Sequence, residues 1–294
     1  MVSWSGSGPE AVRETMLRDV GQLLHAIRVP GFSYRELRPG RSPGSRRPHV
    51  AAPDRLVLVA VVSLVRAVGR TTIAANLAAA LARHGCRTVA FDLDPSGELG
   101  LHFGLEPQPQ AMPLDPALLA EPTWVADRLG HLPFGRDPAL ALEPLSARCE
   151  VVVLDTPPRP TAQVEQAVAE ADEVVVVTRP DAGAREAVRA SEALLARCRM
   201  HAWRRSRARY LVNRFDGRRR EDRTALAGLR QALGDRLLAP TVQADAAVPA
   251  ALAAGCCVIE VDPLCQAAAD LESLAAQLVS PAAHADLLRD GGGR

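Results

Sequence analysis

The sequence predicts an α/β fold, a doubly wound and mostly parallel sheet with helices on both faces. Short runs of Val, Leu and other apolar residues alternate along the chain with longer Ala- and Leu-rich stretches that have helical spacing. The short runs are apolar at every position, as strands are when helices cover both faces of a parallel sheet. Hydrophobic residues make up 48% of the chain and aromatic residues only 3%, so the core must consist mainly of Ala, Val and Leu.

The overall charge and the cysteine pattern argue against several classes of protein. The formal net charge of the 294 residues is +1, which gives no overall field to attract nucleic acid or a membrane surface. All 35 basic residues are Arg, so no chemistry that needs Lys is available. The 6 cysteines show no CxxC spacing. Neither a signal peptide nor an apolar run of roughly 20 residues is visible, so we expect a cytoplasmic protein with reduced thiols.

The chain divides by composition into a small N-terminal unit, a linker and one main domain. We expect residues 1–9 to be disordered and residues 281–294 to form a flexible tail. Residues 10–38 show helical apolar spacing and then an extended stretch, whereas residues 39–54 are rich in Pro, Gly and Arg, as linkers are. The main domain covers residues 55–280. The N-terminal unit either stands apart on its linker or docks as a helix on the main domain, and the pattern favours neither.

The main domain begins with a strand, a loop and a helix. A buried strand is expected from Leu56, a loop at residues 63–69, and a helix that begins at Arg70. A second strand at residues 88–93 runs into the sequence Asp-Leu-Asp-Pro. A strand, a loop, a helix with Thr at its start and a strand that ends in Asp form the frame of a P-loop nucleotide site.

Strands and helices continue to alternate after this first unit, as they do in a doubly wound sheet. An edge strand is expected at residues 129–134. The other strands are expected at residues 151–154, 174–177, 209–212 and 237–242. The helices are expected at residues 161–171, 182–198, 222–233, 248–254 and 266–279.

The loop at residues 64–71 reads Leu-Val-Arg-Ala-Val-Gly-Arg-Thr, where a standard phosphate loop reads Gly-x-x-x-x-Gly-Lys-Thr. Gly69 is kept, and Thr71 occupies the position whose hydroxyl holds Mg²⁺. Arg70 keeps the positive charge of the missing Lys in a longer, planar side chain. A left-handed conformation at Arg66 would add strain of roughly 1–2 kcal/mol. We expect phosphate binding without efficient hydrolysis; the alternative is an ordinary strand-to-helix turn that never contacts nucleotide.

Two aspartates follow strands whose carboxyl ends should share one edge of the sheet. Asp94 follows the second strand, and Asp155 ends the run Val-Val-Val-Leu-Asp. At that edge Asp155 is placed to act on Mg²⁺ through water and Asp94 to orient an attacking water. Each of them is alternatively a turn or cap residue, because Asp before Pro is common in turns.

A third strand end carries Asn213, and an Arg-rich segment surrounds it. The amide of Asn213 offers a donor and an acceptor side by side, which suits an adenine edge, although a turn-forming Asn is an equal alternative. Residues 197–223 contain eleven Arg against three acidic residues. This segment is either a solvated or partner-facing surface, which we favour, or a contact for a phosphate backbone.

Four segments carry a resemblance to a known family. They are VGRTTIAANLAAALARHG at 68–85, FDLDPSG at 91–97, VVVLDTPP at 151–158 and LVNRF at 211–215. Together they resemble the ParA/MinD class of deviant-Walker ATPases. Within that class, LPFG at 132–135 and the segment at 245–263 are most similar to the BcsQ family of bacterial cellulose secretion systems. The apolar spacing of residues 10–38 is similar to BcsR, the short companion of BcsQ, so the chain looks like a fusion of the two.

The resemblance implies a function, a ligand and partners. It implies a regulatory or assembly factor of cellulose synthesis and secretion, a homodimer that binds ATP or ADP with Mg²⁺. It implies a cytoplasmic protein that cellulose synthase subunits recruit to the inner membrane, so that any membrane association is peripheral and goes through those partners. Stable DNA binding is not expected. A partition or positioning ATPase of the ParA type, with non-specific DNA binding, is the alternative. An iron–sulfur carrier of the same fold lacks the CxxC cysteines that it needs.

The resemblance also assigns roles to residues. Asp94 becomes the switch aspartate, Asp155 the Walker B residue that acts with Thr71 on the metal, and Asn213 the adenine reader. The residues of the nucleotide-binding loop are Gly69, Arg70, Thr71 and Thr72. The class places its signature Lys at the position of Val65, which cannot make that contact, and Arg66 beside it is the substitute that we consider.

Overall fold

The computed structural model describes residues 56–106, 121–134, 138–201 and 207–278. The predicted disordered start, the BcsR-like segment at 10–38, the linker at 39–54 and the tail at 281–294 therefore lie outside the described residues, and those expectations stay predictions.

The described residues form one sheet with the strand order β3-β4-β2-β5-β1-β6-β7-β8. The strands are β1 Val57–Val62, β2 Thr88–Asp92, β3 Thr123–Trp124, β4 Leu129–Leu132, β5 Val151–Asp155, β6 Glu173–Thr178, β7 Arg207–Phe215 and β8 Val242–Gln243. Neighbouring strands are parallel throughout, except that β3 pairs antiparallel with β4. The predicted doubly wound, mostly parallel sheet is confirmed.

Helices cover both faces of the sheet. They are α1 Arg70–Arg83, α2 Pro138–Ser146, α3 Ala162–Glu170, α4 Ala184–His201, α5 Arg220–Leu233, α6 Ala247–Ala253, α7 Val258–Val261 and α8 Gln266–Leu278. Short 3₁₀ turns lie at Glu98–Phe103 and Gly234–Arg236. Within the described ranges, no helix is long and apolar enough to cross a membrane.

The central strand β1 shows why the apolar runs are continuous. Val59 and Val61 belong to the hydrophobic cluster that also holds α1 and α8. Leu58, Ala60 and Val62 belong to the cluster on the other face, with residues of α3, α4 and α5. Successive side chains of a strand point to opposite faces, so two covered faces require an apolar residue at every position.

Four expectations about the elements need correction. The strand expected at residues 237–242 is only the two-residue strand β8, with an isolated bridge at Leu237. The strand at β4 is not at the edge, because the short strand β3 pairs with it on its outer side. The helix α2 was not expected, and it carries Pro144, a residue that disfavours helix interiors. The strand β7 continues to Phe215, so Asn213 lies inside the strand instead of following it.

Candidate functional site

The sheet brings the predicted aspartates and the phosphate loop together at its carboxyl edge. Strand β5 lies between β1 and β2, and Asp155 at its end is level with Val61 of β1 and with Asp92 of β2. The loop at residues 63–69 leaves the end of β1 at this edge and leads directly into α1. The carboxyl edge of a parallel sheet is where ligands bind in folds of this kind.

The loop contains two residues in the left-handed region of the backbone. They are Ala67, with φ of 59°, and Gly69, with φ of 87°. The strain considered for Arg66 is therefore carried by Ala67, since Arg66 has no positive φ. No side chain caps the start of α1 at Gly69, so the first N–H groups of this helix keep their capacity to bind an anion.

Asn213 holds the loop from the side of β7. Its Nδ2 donates to the carbonyl of Val68 at 2.7 Å, and its Oδ1 accepts from the backbone N–H of Arg214 at 2.9 Å. A Cβ atom at Gly69 would lie only 2.4 Å from the same Nδ2. Both ends of the amide are engaged with backbone, so the arrangement shows Asn213 as a support for the loop. Its predicted role in reading adenine stays a prediction.

Arg70 lies across the two predicted acidic residues of the site. Its Nη2 donates to Asp94 Oδ2 at 2.6 Å, and its Nε donates to Asp155 Oδ1 at 3.0 Å. The Arg70 side chain is 8% exposed, that of Asp94 14% and that of Asp155 0%. Charge-assisted hydrogen bonds in such a buried setting are strong, and losing one partner of a buried pair costs about 3–5 kcal/mol.

Burial governs the ionisation of the aspartates at this edge. It raises the pKa of Asp155 to about 6, although the Arg70 charge and the Thr71 hydroxyl beside it lower that pKa. Burial and the neighbouring Asp155 raise the pKa of Asp92 to about 8. Asp92 accepts hydrogen bonds from the backbone N–H groups of Asp94 and Leu99 and shapes the turn after β2. With these pKa values, Asp155 is mostly a carboxylate at neutral pH and Asp92 is mostly protonated.

Residues of the types that hold Mg²⁺ are present, but their arrangement does not fit the ion. Thr71 and Asp155 are the predicted ligands, and hydroxyl and carboxylate oxygens suit Mg²⁺. The Arg70 guanidinium is bonded to Asp155 and Asp94 and holds the place beside both carboxylates. Among the described residues, no group of three or more His, Cys, Asp or Glu side chains could hold a metal ion.

The remaining predicted residues lie around this ion pair. Arg66 is exposed on the loop and forms no side-chain hydrogen bond or ion pair with the described residues. Thr72 is half-buried, and its carbonyl accepts a hydrogen bond from Asn76 Nδ2 at 2.9 Å. Asn76 Oδ1 in turn accepts from the backbone N–H of Val258 at 2.8 Å, which ties α1 to the start of α7. Asn76 was not among the residues predicted from the sequence, although a single polar residue inside an Ala-rich helix was a usable signal.

A second feature at this edge is a small open cleft beside Asp92. His131 and Phe134 also line it. Burial lowers the pKa of His131 to about 4, so the ring is neutral at physiological pH, and its Nε2 has no hydrogen-bond partner in the described part of the chain. His131 was not among the residues predicted from the sequence.

The fold and the loop define the class: a nucleotide-binding domain of the P-loop type, with an altered phosphate loop. A family model described as the CobQ/CobB/MinD/ParA nucleotide binding domain matches residues 59–256, more than half of the chain. The chain belongs to this family.

Three solved structures show the same fold. The chain superposes on apo McdA of Cyanothece with a TM-score of 0.62 at 18% identity, covering 74% of this chain and 99% of McdA. For MinD of Pyrococcus horikoshii, solved with Mg-ADP, the TM-score is 0.62 at 19% identity, covering 78% of this chain and 98% of MinD. For cobyrinic acid a,c-diamide synthase of Mycobacterium smegmatis, solved with an ATP analogue and magnesium, the TM-score is 0.62 at 22% identity, covering 76% of this chain and 95% of the synthase. At such identities the likeness is one of fold.

One curated relative matches a shorter part of the chain. It is a putative replication protein A of Rhizobium rhizogenes, 39% identical over 72 residues, which are 24% of this chain and 18% of that protein. The chain thus matches less than a fifth of the length of that relative.

Proposed function

We propose that this chain is a cytosolic regulatory or assembly factor of bacterial cellulose synthesis and secretion. In this proposal it is a dimer of the ParA/MinD type that binds nucleotide and hydrolyses it very slowly. The fold, the family and the uncapped start of α1 support nucleotide binding. The assignment to cellulose synthesis is supported by the BcsQ-like segments at 132–135 and 245–263 and by the BcsR-like segment at 10–38.

The single observation that carries slow hydrolysis is the pair of hydrogen bonds from Arg70 to Asp94 and Asp155. Asp94 is the residue expected to orient the attacking water, and here its Oδ2 accepts from Arg70 and its Oδ1 accepts from the N–H of Ser96. These two hydrogen bonds fix the carboxylate and leave it only one free acceptor site on each oxygen, which limits the orientations in which it can accept from that water. Val65, at the position of the signature Lys, is 41% exposed and adds no charge.

Phosphate release by the purified chain tests the catalytic part of this proposal. We expect turnover with ATP and magnesium at the level of a matched Asp94→Ala variant. Brisk release that depends on magnesium and disappears in Asp94→Ala would contradict it. Sedimentation of the same samples with and without ATP tests the dimer.

Deletion of the coding gene in the bacterium that carries it tests the biological part. We expect cellulose output to fall and to return with the wild-type gene, and a tagged chain to co-purify with cellulose synthase subunits. A second complementing gene that lacks codons 1–50 tests whether the N-terminal segment is needed for that recruitment. An unchanged cellulose output in the deletion strain would contradict the assignment to cellulose synthesis.

A positioning ATPase that binds DNA is the second candidate, because neighbours in fold include MinD and McdA and the segment at 197–223 is rich in Arg. In the described part of this segment, Arg197, Arg209 and Arg218 are paired with Glu165, Glu173 and Asp216. These pairs reduce the positive field, which is why we rank this function second. A salt-sensitive shift of duplex DNA by the purified chain would favour it, and no shift at low salt would remove it.

A further inference from the structure

The charge balance around Arg70 points to a difference from relatives that carry magnesium. MinD of Pyrococcus horikoshii was solved with Mg-ADP. Here the guanidinium contacts Asp94 and Asp155 at 2.6 and 3.0 Å, where a cation would otherwise balance them. A divalent ion entering this place has to displace a buried side chain that already neutralises one of the two carboxylates.

We propose that this domain binds nucleoside di- and triphosphates without a metal ion, with Arg70 in the place of Mg²⁺. The inference rests on the nucleotide-binding function proposed above and names the ligand of that same site: a metal-free nucleotide polyphosphate. A guanidinium has five N–H donors, and the two bonds to the aspartates use only two of them. The others remain for phosphate oxygens at the start of α1.

Two exposed arginines supply the positive charge that a divalent ion supplies elsewhere. Arg66 lies on the loop itself. Arg214 follows Asn213 on β7, and its Nε would lie 3.8 Å from a Cβ atom at Gly69, directly beside the loop. Within the described residues, neither side chain is engaged in a hydrogen bond or ion pair. Two guanidinium groups at the rim match the two positive charges of Mg²⁺, and Arg is the side chain best suited to phosphate oxygens.

Two further arginines that follow β7 differ from these two, because their side chains are engaged within the described residues. Arg218 is paired with Asp216, and the guanidinium of Arg223 donates to the carbonyls of Gly217 and Arg218. Arg66 and Arg214 thus combine three properties: they are exposed, unpaired among the described residues and adjacent to the uncapped N-terminus of α1. This combination fits an anion with several charges.

Calorimetric titration of the full chain with ATP and with ADP tests the inference, once in excess EDTA and once in excess magnesium. We expect binding in both buffers, with affinities that differ by less than about tenfold, or 1.4 kcal/mol. Binding that requires magnesium overturns the metal-free inference and leaves nucleotide binding standing. No binding in either buffer overturns the proposed nucleotide-binding function and the inference with it.

Variants separate the role of Arg70, in the place of the metal ion, from the role of Arg66 and Arg214 at the rim. Arg70→Lys replaces the planar fork by a point charge that cannot hold both carboxylates in the same way. We expect magnesium to raise the nucleotide affinity of this variant by tenfold or more, and circular dichroism to show the fold retained. An Arg70→Lys variant that folds and stays indifferent to magnesium contradicts the role given to Arg70. Electron paramagnetic resonance with Mn²⁺ alone should show no tight site in the wild type, and a tight site there overturns the inference without any variant.

The double variant Arg66→Gln/Arg214→Gln should lose nucleotide affinity in EDTA by tenfold or more. Its matched control is Arg189→Gln/Arg230→Gln, which removes the same charge from exposed positions on α4 and in the last turn of α5. The helix α5 begins after β7 ends, at the carboxyl edge of the sheet, and runs back. Its last turn therefore lies toward the amino edge, away from the site. Equal losses in the two double variants would mean that only net charge matters and would remove Arg66 and Arg214 from the site.

Discussion

The Nδ2 atom of Asn213 donates to the carbonyl of Val68 at 2.7 Å, a buried hydrogen bond between residues 145 positions apart. It joins β7 to the phosphate loop, and it fits against Gly69 so closely that a methyl group there would strike the amide. The position of the loop is therefore set from outside the loop, by a strand on the far side of β6.

Gly69→Ala is expected to destabilise the fold by more than the cost of its backbone alone. A side chain at φ of 87° costs roughly 1–2 kcal/mol, and the Cβ atom would in addition meet Asn213 at 2.4 Å. Gly85→Ala is the control, because Gly85 has φ of 97° and nothing within 4 Å of a Cβ atom. Urea unfolding measures both, and equal losses of stability would show that the contact with Asn213 does not matter.

Asn213→Ala is expected to lower the free energy of unfolding by about 1–3 kcal/mol, because it leaves the buried Val68 carbonyl without its donor. If Asn213 acts on the loop, the affinities for ATP and GTP should fall by the same factor. Titration of the variant with both nucleotides measures this. A loss confined to ATP would support the adenine-reading role that the sequence suggested.

Arg70→Ala is expected to cost about 3–5 kcal/mol of stability, since it leaves Asp155 buried and uncompensated. Asp155→Asn in the Arg70→Ala background should recover part of this loss, and a double-mutant cycle from urea unfolding gives the coupling energy. Arg189→Ala is the control: its ion pair with Glu186 is 77% and 78% exposed, and such pairs contribute about 0–1 kcal/mol. A coupling between Arg70 and Asp155 as small as that of the surface pair would contradict the importance of burial.

The stability of the fold is expected to fall as the pH rises from about 6.5 to about 8. An acid whose folded pKa is raised stabilises the fold at low pH, and this contribution is lost as the pH passes its folded pKa, about 8 for Asp92. The buried His102 and His131 have folded pKa values lowered to about 4, so they act in the opposite direction, but only below about 6.5. Asp155, with a pKa of about 6, also acts mainly below that range.

Asp92→Asn is therefore expected to flatten the pH dependence between 6.5 and 8. The slope is the relevant measurement, because Asn cannot accept both backbone hydrogen bonds of Asp92 and lowers stability at every pH. Urea midpoints across this range measure the slope, with the exposed Asp235→Asn as the control. An unchanged slope in Asp92→Asn would show that another group titrates.

Much of the fold followed from the sequence, for a reason visible in β1 and β5. All six residues of β1 and the first four of β5 are apolar, and only a sheet covered on both faces accepts that pattern. The proximity of Asp94 and Asp155 to the loop was also predictable, since parallel strands end at one edge. The helix α2 and the position of β4 inside the sheet were not predictable from the pattern: Pro144 hid the helix, and two residues of β3 are too short a run to recognise.

The sequence by itself determined the α/β class, the order of strand, loop and helix, and the loss of every Lys from the phosphate loop. It left open what Arg70 does, because a guanidinium next to a helix start serves equally well for phosphate, solvent or a carboxylate. Only the tertiary structure decided this: the register of β1, β2 and β5 places residues 24 and 85 positions away against one side chain and removes water from them. The strength of charged contacts depends on that burial, which no local pattern encodes.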